Sequence, residues 1–175
     1  MKVLKQVEKV FGELKNEWRN FNNCGVRHVQ DANTKEITIY QSQYIQGIHT
    51  LTHADLSCKP AEDFCSPEMH QLYWSILGAI SFATLTRVDI AVVVAALQRH
   101  SHQLKYIHGK RLNTFVRWAQ RNPKVIHYRR IPEAKDSFDI HLRMYSDAAF
   151  KKEEDTGHSM RGAIYMRCLG RQISD

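Results

Sequence analysis

The sequence predicts an α+β fold in which a basic, helical middle lies between an N-terminal helix plus β-hairpin and a C-terminal β-hairpin. Three observations lead to this prediction. Apolar residues recur at steps of three and four in several segments, which indicates amphipathic helices. They alternate with polar residues in a few short segments, which indicates strands. The acidic residues are missing from one long interval in the middle of the chain.

Length and composition limit the classes of protein to consider. The chain has 175 residues, with 43% hydrophobic and 25% charged residues, which is typical of one soluble domain or two small ones. The longest apolar run, 90–97, is too short to span a bilayer. The N-terminus begins an amphipathic pattern instead of a signal peptide. Four scattered cysteines without a CxxC pair favour reduced thiols in the cytoplasm or nucleus.

The first predicted segment, 1–62, contains two helices and a hairpin. Residues 2–20 show a helical apolar pattern from Leu4 to Trp18, and a short helix is expected again at 41–48. Between these helices, alternating apolar residues predict two strands joined by a turn cluster. The strands and the turn are, in chain order, 24–30, 31–34 and 36–40.

The second segment, 63–132, is predicted to be helical. Ser66 as N-cap and Pro67 at the first helical position predict a helix that runs to about Thr84. Asp89 is the expected N-cap of the next helix, 90–100, and an ion pair between Arg87 and Asp89 is expected at this junction. The face of the first helix expected to be buried consists of Leu72, Ile76, Ala79, Ile80 and Ala83.

A further helix is predicted at 104–121, ended by Asn122 and Pro123, and a short strand at 125–130. Its expected inner face is Leu112, Phe115, Val116 and Ala119. The interval 90–132 contains no Asp or Glu although the net charge of the whole chain is +7. Such a one-sign stretch repels itself unless a polyanion neutralises it. The expected phosphate-binding residues are Lys110, Arg111, Arg117, Arg121, Lys124, Arg129 and Arg130.

The aromatic residues interleaved with these cations admit two interpretations. They could stack on bases, or they could belong to the hydrophobic core, and the second interpretation is preferred for Phe115 and Trp118. The other candidates for stacking are Tyr106, His127 and Tyr128.

The third segment, 138–175, is predicted to be a strand pair. Apolar residues alternate from Phe138 to Met144, Asp147 follows among small residues, and 163–168 is the expected partner strand. A carboxylate in this setting is suited to present a metal ligand, although an Asp in a turn is the commoner occurrence. A zinc site is a separate alternative, but its spacing matches no common structural site. That alternative consists of His49, His53, Cys58, Cys65 and His70.

Four short motifs, taken in order, resemble a known family. They are FNNCGV at 21–26 with Gln41, Tyr44 and Ile45; YWSILGAI at 73–80 with TRVDI at 86–90; FVR at 115–117 with IHY at 126–128; and YSDAAF at 145–150 with Ser159 and Gly162. This order is similar to the downstream part of the copia-type retrotransposon reverse transcriptase as it runs into RNase H. Val88 departs from the pattern, since the family usually has Pro there.

The resemblance implies a role for each segment. Residues 1–62 would be the end of the polymerase palm, 63–132 the thumb and connection, and 138–175 a truncated RNase H-like hairpin. Asp147 would be the first of four carboxylates that hold Mg²⁺, with the others beyond Asp175 and the polymerase aspartate pair before Met1. The implied partners are an RNA–DNA hybrid or duplex and the rest of the Pol polyprotein.

The chain alone is therefore expected not to be catalytic, although the parent would be an RNA-directed DNA polymerase with RNase H. The alternative is a non-catalytic, basic, nucleic-acid-binding α+β protein derived from such an element.

Overall fold

The computed structural model describes residues 2–12, 18–129, 140–148 and 161–169. The chain divides into two compact units, 1–129 and 130–175. Helices and antiparallel sheets occur together, so the fold class is α+β. No helix within the described ranges is long and apolar enough to cross a membrane.

The first unit contains six α-helices and four strands among its described residues. They are α1 (Lys2–Phe11), β1 (Asn20–Asn23), β2 (Val26–Gln30), β3 (Ile37–Tyr40), α2 (Ser42–Gln46), α3 (Asp55–Cys58), α4 (Pro67–Phe82), α5 (Ala91–Arg99), α6 (Tyr106–Arg121) and β4 (Ile126–Tyr128). Two 3₁₀ turns, Ala83–Leu85 and Val88–Ile90, connect α4 to α5.

The four strands form one antiparallel sheet in the order β1-β2-β3-β4. The two predicted strands correspond to β2 and β3, and Asp31 closes the turn between them because its carboxylate accepts hydrogen bonds from the backbone N–H groups of Asn33 and Thr34, both at 2.7 Å. Strand β1 was not predicted. Helix α1 ends at Phe11, because Gly12 takes a φ of 84°. The expected helix over 2–20 is also wrong at its far end, since Asn20 already belongs to β1, and residues 13–17 lie outside the described residues.

Helix α4 begins as its sequence predicts. The Ser66 side chain accepts a hydrogen bond from the Met69 N–H at 3.3 Å, and Pro67 occupies the first turn. The predicted buried face is confirmed in part: Ile80 and Ala83 are buried, and Ile76 and Ala79 pack against the core. Leu72 is wrong, because it is 42% exposed whereas Met69, Tyr73 and Leu77 are buried. This helix is apolar around most of its circumference, so the elements packed on it select the buried stripe.

The junction between α4 and α5 also corrects one prediction and confirms another. Asp89 is not the N-cap of α5, since it lies inside the second 3₁₀ turn and Ile90 takes the cap position. Its carboxylate instead forms the expected ion pair, with two hydrogen bonds from the Arg87 guanidinium at 2.9 Å each.

The hydrophobic core of the first unit contains no described strand residue. It is built by helices and connectors from both the 1–62 and 63–132 segments. Its buried members are Ile45, Ile48, Leu51, Met69, Tyr73, Leu77, Ile80, Ala83, Ile90, Val94, Leu97, Leu104, Tyr106, Leu112, Phe115, Val116 and Ala119. The sheet is therefore peripheral to the core, and none of the described residues in β1–β4 is fully buried.

The described part of the second unit is one antiparallel pair, β5 (Ile140–Ala148) with β6 (Arg161–Leu169). The strands pair along their full nine residues, and the backbone of Asp147 lies opposite Gly162. The predicted loop at 151–159, the loop at 131–137 and the third strand at 171–175 fall outside the described residues.

Candidate nucleic-acid interface

Helix α6 carries the longest group of predicted site residues, and its inner face attaches it to the core. Leu112, Phe115, Val116 and Ala119 are buried, as their spacing predicts. These residues fall at steps of three, one and three, so they form a single stripe along the helix. Burial of this stripe holds the orientation of the residues on the opposite side.

Asn113, beside this stripe, holds the backbone of the segment 47–54 between α2 and α3, which we call the connector. Asn113 Oδ1 accepts a hydrogen bond from the Leu51 N–H, and Asn113 Nδ2 donates one to the Leu51 carbonyl, both at 2.7 Å. Asn113 is buried, so each bond satisfies a group that water does not reach.

Gln120 lies two turns farther along the same side of α6 and holds the backbone at the end of α2 by hydrogen bonds. Its Nε2 donates to the carbonyls of Ile48 at 2.9 Å and Ile45 at 3.2 Å. In return, Gln46 Nε2 donates to the Gln120 carbonyl at 2.7 Å. Neither amide was predicted from the sequence to hold α6 in place. The signal was their spacing of seven residues beside an apolar stripe, which places them on one side of the helix.

The first turn of α6 is capped by a histidine. His108 Nδ1 accepts a hydrogen bond from the Lys105 backbone N–H at 3.1 Å, and the His108 ring stacks on His100 with centroids 4.2 Å apart. Burial, with the charges of His100, Arg111 and Lys105, lowers the pKa of His108 to about 4. The ring is therefore neutral at pH 7 and keeps an acceptor for the cap.

The last turn of α6 is held by a buried cation from the α4–α5 junction. The Arg87 side chain is fully buried, and its guanidinium lies 5.7 Å from the centroid of the Trp118 ring. Asp89, its partner, also lies 3.4 Å from Lys124 Nζ. The hydrogen bonds from Arg87, assisted by Lys124, hold the pKa of Asp89 below its usual value.

The outer face of α6 carries four cations, which we call the α6 stripe: Lys110, Arg111, Arg117 and Arg121. All four are exposed. Lys110, Arg117 and Arg121 follow at steps of seven and four and lie on one side, with Arg111 next to them. At 1.5 Å per residue the stripe is roughly 16 Å long. Within the described ranges, none of the four has an ion-pair partner.

The other predicted cations are placed differently. Lys124 is paired with Asp89, as described above. Arg129 is exposed directly after β4, and Arg130 lies outside the described residues. The four members of the α6 stripe are thus the predicted cations that one helix brings together.

Two of the five interleaved aromatic residues belong to the core, and the expectation that Trp118 is a third is wrong. Phe115 and Tyr106 are buried, and the Tyr106 hydroxyl donates to Asp55 Oδ2 at 2.8 Å. That bond raises the pKa of Tyr106 to about 12. Trp118 stacks on Phe115 with centroids 6.1 Å apart but remains 43% exposed beside the α6 stripe. His127 and Tyr128 are exposed on β4.

The proposed metal ligands do not assemble among the described residues. No group of three or more His, Cys, Asp or Glu side chains within that part of the chain is placed to hold a metal ion. Of the zinc candidates, His53 accepts a hydrogen bond from the Asp55 N–H and His70 Nε2 lies 2.6 Å from the Ser101 carbonyl. The structure describes the backbone of Asp147 but not its side chain.

No family model, curated protein or solved structure matches this chain.

Proposed function

We propose that this chain binds the phosphate backbone of a nucleic-acid duplex through the α6 stripe, with an RNA–DNA hybrid as the substrate class. The observation that carries the proposal is the group of four exposed cations on one rigid helix, each without an ion-pair partner in the described part of the chain. Cations of this kind release condensed counterions when they neutralise phosphates, which drives sequence-independent binding.

The dimensions of the α6 stripe suit this role. Phosphates on one strand follow each other at about 3.4 Å along the duplex axis, so roughly 16 Å of helix faces about five of them. Asn113 and Gln120 clamp α6 to the connector and to α2. The cations are thus presented on a support that is already ordered, which lowers the entropy lost when the duplex binds.

The choice of an RNA–DNA hybrid comes from the resemblance to the copia-type reverse transcriptase. Two of its motifs contact each other: the Thr86 hydroxyl donates to Gln41 Oε1 at 2.9 Å, and both side chains are buried. The Tyr44 hydroxyl also donates to the Ala79 carbonyl at 3.0 Å. These motif residues support the fold and leave the α6 stripe to contact the substrate.

We further propose that the chain alone does not cleave the hybrid. Two-metal hydrolysis needs several carboxylates around a pair of ions, and Asp147 is the one carboxylate that the resemblance assigns to this role. The test is an RNase H assay in Mg²⁺ with the full chain. Cleavage that is abolished by Asp147→Asn would overturn the proposal.

The binding proposal is tested by the salt dependence of affinity. The full chain is titrated against a fluorescently labelled RNA–DNA hybrid of about 16 base pairs, between about 50 and 200 mM salt. The variant Arg117→Gln/Arg121→Gln should bind at least tenfold more weakly at the lower salt. Its slope of log affinity against log salt should become shallower by about 2, because two phosphate contacts are lost.

The control changes the same net charge elsewhere. Lys9 and Lys59 are exposed and lie on other elements, so Lys9→Gln/Lys59→Gln should keep most of the affinity and the full slope. Equal losses in the two variants would mean that net charge alone acts. An unchanged affinity for the Arg117→Gln/Arg121→Gln variant would exclude the α6 stripe as the interface.

A further inference from the structure

One face of the four-stranded sheet carries aromatic and apolar side chains that the core does not cover. The register aligns Phe21, His28, Ile39 and Ile126 across all four strands, and side chains in one such row point to the same side. All four are partly exposed. The hydrophobic core contains none of them.

A pocket opens at the β1–β2 end of this face. It has a volume of about 360 Å³, and its lining includes Trp18, Arg19, Phe21, His28, Gln30 and Ile37. We call it the ring pocket. Its volume lies at the lower end of the range for small-molecule sites, which is about 300–1,000 Å³. A pocket of this size suits one nucleotide and is too small for a duplex.

The walls of the ring pocket are flat rings in open positions. Phe21 and His28 stack with centroids 4.6 Å apart and planes 10° apart. Trp18 is 73% exposed, which is unusual for so large an aromatic side chain unless it meets a partner. Rings of this kind stack on nucleobases without regard to sequence.

A cation adjoins the rings. Arg19 is exposed and has a backbone φ of 65°, in the left-handed region that a residue with a side chain seldom adopts. Its carbonyl accepts a hydrogen bond of 2.6 Å from the Gln30 N–H, which ties it to β2. No hydrogen bond or ion pair engages the Arg19 guanidinium among the described residues. The rings can therefore stack on a base while the guanidinium pairs with its phosphate.

We propose that the ring pocket binds one unpaired nucleotide, with its base stacked on the exposed rings of Trp18 and the Phe21–His28 pair and its phosphate paired with Arg19. This site uses none of the residues of the α6 stripe. It would give the chain affinity for single strands in addition to duplexes, and it stands or fails independently of the hybrid-binding proposal.

The test uses the full chain and a single-stranded RNA tetranucleotide that contains 4-thiouridine. Photo-crosslinking followed by peptide mapping should place the adduct within residues 18–37. Trp18→Ala should weaken binding by at least fivefold, as expected for loss of one stacked base. Arg19→Gln should weaken binding and flatten its salt dependence, because it removes one phosphate contact. Trp18 is largely exposed, so its removal leaves the fold intact.

Phe64→Ala is the matched control, because Phe64 is 65% exposed in the segment between α3 and α4, away from the ring pocket lining, and its loss should leave tetranucleotide binding unchanged. The adduct within residues 18–37 should persist in the variant Arg117→Gln/Arg121→Gln, which separates this site from the α6 stripe. Adducts outside residues 18–37, or full affinity in Trp18→Ala, would overturn the proposal. Competition by N-acetyltyrosine amide as strong as that by uridine monophosphate would assign the pocket to a protein side chain instead.

Discussion

The polar side chains on the two faces of α6 differ in whether they have partners within the chain. On the inner side, His108, Asn113 and Gln120 each have a hydrogen-bond partner in the connector, in α2 or at the helix N-terminus. On the outer side, the four cations of the α6 stripe have no ion-pair partner among the described residues. Buried polar groups need partners for the chain to fold, whereas exposed cations do not. The difference indicates which polar residues serve the fold and which are available to a ligand.

The strongest test of the inner face is the loss of an apolar side chain. Leu112 is fully buried, so Leu112→Ala leaves a cavity and should lower the free energy of unfolding by about 2–5 kcal/mol. Urea denaturation measures this change. A loss under about 1 kcal/mol would mean that α6 is not anchored through this face.

Loss of the Asn113 side chain should lower the free energy of unfolding almost as much as Leu112→Ala does. Asn113→Ala leaves the N–H and the carbonyl of Leu51 without their partners, and each unsatisfied buried group costs about 1–3 kcal/mol. We expect a loss of about 2–4 kcal/mol in the same denaturation experiment. Asn122 provides the control, since it is exposed and makes one bond to the Trp118 carbonyl. Asn122→Ala should cost clearly less, and equal losses would remove the distinction between the faces.

The cap at His108 should make stability depend on pH. The pKa of His108 is about 4 in the folded chain and about 6.5 when unfolded. Between these values the unfolded chain takes up a proton that the folded chain does not. The stabilisation is therefore complete above pH 6.5 and is lost as the pH falls toward 4, by about 1–3 kcal/mol.

Thermal unfolding between pH 4 and pH 7.5 tests this dependence against a matched histidine. His108→Gln should flatten the dependence of stability on pH in that window. His102→Gln should leave this dependence unchanged, because His102 is exposed. A profile that stays steep in His108→Gln would assign the pH dependence to other groups.

The smallest effect on stability is expected on the outer face. Lys110→Gln/Arg111→Gln should change the free energy of unfolding by less than about 0.5 kcal/mol, because both side chains are exposed and unpaired among the described residues. The same variant should weaken binding to an RNA–DNA hybrid. A stability loss above about 1 kcal/mol would show that the α6 stripe also supports the fold, and the contrast between the two faces would then fail.

Local sequence patterns were enough to predict several features of the fold. The Ser66–Pro67 start of α4, the turn at Asp31 and the buried stripe of α6 follow from capping, turn chemistry and spacing, which act within a few residues. The end of α1 was also accessible from the sequence, because Gly12 is the kind of residue that stops a helix. It was missed because the apolar steps continue past it to Trp18.

Other features depended on contacts between distant segments. Leu72 and Tyr73 are neighbours in a helix that is apolar on most sides. Packing against other elements buries Tyr73, whose hydroxyl donates to the Leu97 carbonyl of α5 at 2.9 Å, and leaves Leu72 42% exposed. Asp is a residue type that often caps a helix N-terminus, and this led to the prediction for Asp89. Its carboxylate instead accepts the charge-assisted hydrogen bonds of the buried Arg87 guanidinium.

The sequence by itself determined most of the helices and strands, though not β1 or α3, together with the apolar face of α6 and the acid-free interval that supplies the α6 stripe. Only the tertiary structure decided which cations are already paired, as Lys124 is, and which amides hold α6 in place. The physical reason is distance along the chain. Periodicity and capping act over a few residues, whereas a hydrogen bond such as that between Asn113 and Leu51 joins groups 62 residues apart.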